Sequence, residues 1–173
     1  MLHIMVSRLL YAANTLTIVA AQLPLTRLTR GRNRMSVLRA AGLIWVVCWL
    51  VCLAAGGWLT GNVAALAIGL ASVGYAIGEC FYSAIMVPTA VALAPDHLRG
   101  RYLGAMGLSW QAGFLIGPSL GGIVLGAFPL GLPMACSVIC LLAAAGTMVV
   151  DRELGSDQRR IPAPIALAVG SRS

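Results

Sequence analysis

Residues 40–59 read AAGLIWVVCWLVCLAAGGWL, twenty consecutive positions without a charge and without Ser, Thr, Asn or Gln. A helix needs about 20 mainly apolar residues to cross the hydrocarbon core of a bilayer, so this stretch is a span by itself. Working outward from it, four further stretches qualify: about Leu9–Leu25, Val63–Leu93, Tyr102–Gly126 and Leu132–Val150. Val63–Leu93 is long for one span, and tilt or a kink at Pro88 absorbs the excess. Asp151–Ser173 is polar and reads as a disordered cytoplasmic tail.

Composition agrees with the spans. The 173 residues are 60% hydrophobic and 10% charged, with a mean hydropathy of +0.90. Soluble domains are about 45–50% apolar and about 25% charged, which excludes a water-soluble domain. The net charge of +7 comes from twelve Arg and no Lys against five acidic residues. In a soluble domain such an excess suggests nucleic acid. Here the arginines stand beside apolar segments, so the partner they imply is the lipid bilayer and not nucleic acid.

The connectors alternate in charge. Arg27, Arg30, Arg32, Arg34 and Arg39 lie between the first two spans, and Asp96, His97, Arg99 and Arg101 between the third and fourth. Arg152, Arg159 and Arg160 follow the fifth, whereas Thr60–Asn62 and Phe128–Gly131 are uncharged. Arg is retained on the cytoplasmic side. The expected fold is therefore an all-α integral membrane protein of five transmembrane helices, with the N-terminus outside and the C-terminus cytoplasmic. Arg8 alone dissents.

Polar side chains in a bilayer face a bundle interior or a wet cavity. The first span carries Tyr11, Asn14, Thr15 and Gln22 on one face. The third carries Ser72, Tyr75, Glu79, Tyr82, Ser83 and Met86, and the fourth Ser109, Trp110, Gln111 and Ser119. The second span has none and the fifth only Ser137 and Thr147, which predicts the order inner, outer, inner, inner, outer. Glu79 is the only acidic residue within a span, which makes it the candidate proton or cationic-substrate site. Tyr75, Tyr82 and Ser83 share its wall, and Trp110 and Gln111 are further binding candidates. Trp110 serves equally well as a packing aromatic.

Other chemistry is absent from the pattern. The five cysteines lie in apolar stretches, without the spacing or the accompanying His of a zinc site. No span contains His, and one embedded carboxylate does not make an acid/base pair, so neither an enzyme nor a cofactor or metal site is expected.

Small residues recur at Gly74 and Gly78, where plain packing is the expected use, and at Gly113, Gly117 and Gly121. With Gly104, Pro118 and Gly122, the latter set occupies six fixed positions over 19 residues. This spacing resembles the antiporter motif of the major facilitator superfamily at every defined position. Gly78-Glu79 and the run Ala94–Gly104 resemble the tenth helix of drug–proton antiporters and the loop after it. The connector Leu25–Arg39 sits where that family carries its cytoplasmic signature loop. Only Gly31-Arg32 fits that loop cleanly, with Pro24 at its first Gly and Leu28-Thr29 at its Asp-Arg pair. Such degeneration resembles the second-half copy of the loop, between helices eight and nine. Helices eight to twelve are the preferred register; helices two to six are the alternative, but the third span lacks the embedded Arg of helix four.

The resemblance implies a partial major-facilitator-type bundle in the cell (plasma) membrane, from a fold of two six-helix bundles that rock around a midplane site. It implies a small-molecule substrate, a proton as coupling ion, and a hinge or seal at Gly113, Gly117, Pro118, Gly121 and Gly122. Arg27, Arg30, Arg32 and Arg34 would hold topology and contact anionic lipid, and Asp96, Arg99 and Arg101 would gate the cytoplasmic side. The chain is then expected to be a fragment, a split gene product or half of an assembly. It would be completed by an N-terminal half or a second copy, or else be an accessory membrane protein without transport of its own.

Overall fold

The computed structural model describes residues 31–155 and 159–161, with Thr15, Leu16, Ala20, Pro24, Leu28 and Thr29 as isolated positions. The expected span at 9–25 lies largely outside the described residues, as do Arg27, Arg30 and positions 156–158 and 162–173. Among the described residues four long helices follow one another: α1 (Arg34–Gly57), α2 (Gly61–Leu93), α3 (Arg99–Ala127) and α4 (Gly131–Glu153). A short 3-10 turn, Asp96–Leu98, joins α2 to α3. All four helices are long and apolar enough to cross a membrane. Among the described residues the only β pairing is an isolated antiparallel bridge between Asn33 and Arg160.

The helix ends follow local chemistry. Asn33 is extended (φ −67°, ψ 127°), and its side-chain oxygen accepts the N–H groups of Met35 at 2.8 Å and Ser36 at 3.2 Å. That caps α1, because the first N–H groups of a helix have no partner within it. α1 ends at Gly56-Gly57, and the chain re-enters α2 through Gly61 at φ +59°, a left-handed conformation that glycine adopts without penalty. α2 stops at Leu93 because Pro95 forces Ala94 into extended backbone (ψ 130°). With 33 residues, α2 is about 50 Å long at 1.5 Å per residue. It exceeds a bilayer core and carries Pro88 inside a single helix.

Packing departs from the inner and outer order read from polarity. Among the described helices α1, the expected outer helix, lies between α2 and α4 and makes nearly all the interhelical contact. α3, an expected inner helix, touches α2 and α4 lightly and has no buried residue. The reason is side-chain size. Within a bilayer, helix association depends on close packing and not on apolarity, because lipid tails are as apolar as Leu. The buried positions on the packed helices are mostly small: Ala41, Gly42, Cys48 and Ala55 on α1, Ala71, Ala76, Gly78 and Cys80 on α2, and Ala144 on α4.

Glycines mark the closest approaches. A Cβ on Gly42 would stand 3.1 Å from the Ala144 Cβ, and one on Gly74 would stand 2.9 Å from the Cys48 sulfur. Around Gly113 and Gly117 nothing lies within 4 Å of such a Cβ. Among the described residues the tight seams are thus α1–α2 and α1–α4, and the longer glycine stripe of α3 meets no close neighbour there.

Part of the expected tail is ordered among the described residues. Asp151–Glu153 complete α4, and Arg159–Ile161 return to pair with Gly31–Asn33.

Candidate functional site

Tyr75, Glu79 and Tyr82 stand one and two turns apart on α2, which aligns them on one face. α1 completes this face with Trp45. Its indole lies on Gly78, where an added Cβ would be 2.5 Å from Nε1. Only glycine leaves room for the ring there. The indole stacks on Tyr75 (centroids 5.4 Å, 24° between planes) and tilts against Tyr82 (5.5 Å, 45°). Its Nε1–H donates to the Tyr75 carbonyl at 3.1 Å. Tyr75 is 39% exposed, and Glu79, one turn along α2, is half-buried. Ser83 is exposed, and its hydroxyl turns back to donate to the Cys80 carbonyl at 3.2 Å.

A carboxylate is an acceptor when ionised and a donor when protonated. Aromatic faces attract cations within about 6 Å. Glu79 with Trp45, Tyr75 and Tyr82 therefore has the composition of a proton- or cation-handling wall. Trp45 was invisible to the sequence reading because its helix has no polar stripe, and an indole counts as apolar. The one signal for it was indirect: Gly74 and Gly78, four apart, leave a notch that a large facing side chain fills.

Trp110 and Gln111 are placed elsewhere. Trp110 is 46% exposed and tilts against Phe114 of its own helix at 5.7 Å. These two line an open groove of about 310 Å³ with Ser109, Gly113 and Pro118. Gln111 is exposed on α3. Of the expected motif, Gly104, Gly113, Gly117 and Gly122 have open space at the Cβ position, and Gly121 meets only Leu132, at 3.8 Å. The structure thus packs Tyr75 and Tyr82 against Trp45, keeps Glu79 one turn from each tyrosine on the same helix, and leaves Trp110 and the glycine motif on the exposed helix.

The arginines divide as well. Arg99 pairs with Asp96 at 2.6 Å within one exposed turn, and Arg101 is exposed. Arg32 is exposed, but Arg34 is only 5% exposed and donates to the carbonyls of Arg160 (3.2 Å) and Pro88 (3.4 Å). A lipid contact for Arg34 gives way to a buried guanidinium bonded to backbone. Sequence reading also missed Asn33, Arg39 and Asp151 as a group. Asn33 donates to Asp151 at 2.9 Å, and Arg39 approaches Asp151 at 3.9 Å. Among the described residues no three His, Cys, Asp or Glu side chains converge as metal ligands. All five cysteines are free.

Long apolar helices, close small-residue seams and a carboxylate within a span define a multi-pass helical membrane protein. The Major Facilitator Superfamily family model matches residues 3–170, and the chain belongs to that superfamily. It is similar to an uncharacterized MFS-type transporter, YhjO, of Bacillus subtilis (strain 168), with 29% identity over 133 residues. That match covers 77% of this chain and 31% of the relative, so the chain spans about a third of the relative's length. No solved structure matches the chain.

Proposed function

We propose that the chain serves transmembrane transport of a small molecule, by proton-coupled efflux with alternating access, as part of a drug–proton antiporter-like transporter in the plasma membrane. In this reading it has five spans, the N-terminus outside and the C-terminus cytoplasmic, and it corresponds to helices eight to twelve. Family membership supports membrane transport. The observation that carries the finer reading is Glu79, half-buried within a span one turn from Tyr75 and Tyr82, the two rings that pack on Trp45. The open face of α3, with Trp110, Gln111 and the glycine stripe, is where the other bundle would seat and rock.

A second reading is favoured by that same open face: an accessory membrane protein without transport of its own. Reconstitution into liposomes separates the two. The chain is inserted alone, and also together with the part of YhjO that it does not match, and a pH gradient is imposed. Gradient-driven movement of cationic dyes in either preparation supports transport. Correct insertion with no dye movement in both supports the accessory reading.

A further inference from the structure

The chain beyond α4 folds back across the cytoplasmic end expected for the bundle. Leu154 is buried. The Ile161 N–H donates to the Arg32 carbonyl at 3.0 Å, and the Gly31 N–H donates to the Ile161 carbonyl at 3.2 Å. Beneath this pairing lies the buried Arg34 guanidinium. A guanidinium has donors only and keeps its charge, so burial requires acceptors. It finds them on two separate segments, the Arg160 carbonyl of the returning chain and the Pro88 carbonyl of α2.

Asp151, in the last turn of α4, ties the rest together. It accepts from the Asn33 side-chain amide at 2.9 Å and faces Arg39 at 3.9 Å and Arg159 at 4.0 Å. Arg39 also donates to the Thr147 hydroxyl at 3.3 Å, and Arg159 to the Leu154 carbonyl at 2.8 Å. One carboxylate therefore serves the cap of α1, a side chain nearly two turns further along α1, and the arginine that starts the returning segment.

We infer that Arg159–Ile161 is a cytoplasmic strap that clasps the start of α1 to the end of α4 and, through Arg34, to α2, with Asp151 as its hub. Partly exposed ion pairs at 3.9–4.0 Å contribute little individually. The clasp is consequently cooperative and belongs to the part of the fold that opens first. Releasing the hub opens the strap and the first turn of α1 together. This device is independent of whether the chain transports anything.

Hydrogen exchange on the full chain in lipid nanodiscs tests it, comparing wild type with Asp151→Asn, Arg159→Gln and Ser119→Ala. Asparagine at 151 keeps an oxygen for the Asn33 amide but removes the charge that Arg39 and Arg159 face. The wild type is expected to protect both the Gly31–Ser36 and the Arg159–Ile161 segments. Asp151→Asn should accelerate both several-fold, with α3 unchanged. Should Asp151→Asn also disturb α3, Arg159→Gln carries the test, because it leaves the helix cap intact and should accelerate the same two segments. Ser119→Ala should alter neither. Exchange of Arg159–Ile161 at the open-chain rate in wild type overturns the inference. So does acceleration of one segment without the other, or of neither.

Discussion

Replacing Gly78 with Ala probes the tightest of the described glycine positions. The new methyl carbon would stand 2.5 Å from Nε1, 2.8 Å from Cδ1 and 3.2 Å from Cε2 of Trp45. Ordinary carbon contacts lie at about 3.5–4.0 Å, so the indole or the helix must move by about 1 Å. The ring is not a flexible chain end. It is stacked on Tyr75, tilted against Tyr82 and bonded through Nε1 to the Tyr75 carbonyl. Overpacking of this kind costs about 1–3 kcal/mol, and the better helix propensity of Ala returns roughly 0.5–1 kcal/mol. The central expectation is a net loss of about 1 kcal/mol.

Gly117→Ala provides the contrast. With nothing within 4 Å, it keeps only the propensity gain in this chain, while bulky substitution there should impair transport or assembly more than substitution at Ala143. The assay is unfolding in mixed lipid–detergent micelles, followed by circular dichroism. A cycle with Trp45→Ala isolates the clash: in that background Gly78→Ala should become neutral or stabilising, a coupling of about 1–3 kcal/mol. The reasoning is refuted if Gly78→Ala is neutral beside an intact Trp45, if Trp45→Ala gives no rescue, or if Gly117→Ala costs as much.

Other expectations follow from single contacts. Asn33→Ala removes the cap of α1 and one partner of Asp151, and should cost roughly 0.5–2 kcal/mol in the same unfolding assay. For orientation, a cysteine at Asn62 should react with a membrane-impermeant maleimide from outside, and one at Gly100 only from the cytoplasmic side. The reverse pattern would overturn the placement of the arginine-rich connectors.

The four described helices were legible as spans because each is a local property of its own residues. Residues 40–59 announce a helix without reference to any neighbour, and Gly61 and Pro95 punctuate the chain where the structure turns. Which face of α1 meets which helix was not legible, since a uniformly apolar helix carries no stripe to orient it. Polarity ranked α3 as interior, yet shape decided the seams: Gly42 on Ala144, Gly74 on Cys48, Gly78 beneath Trp45. The polar stripe of α3 accords with the proposed second bundle and not with a neighbour among the described residues. Glu79 stood out because a charge in a span is conspicuous on its own. Asp151 did not, because its partners Asn33 and Arg39 are more than a hundred residues away. A carboxylate just past a span also looks like any solvated residue until the fold brings those partners to it.

The central claim is that Glu79 carries the proton for transport. The direct measurement is the pH dependence of dye movement in liposomes for wild type and Glu79→Gln, in whichever preparation transports. The account predicts that Glu79→Gln abolishes gradient-driven movement, or leaves residual movement that no longer varies with pH. Transport by Glu79→Gln at the wild-type rate, with the wild-type pH profile, would contradict it.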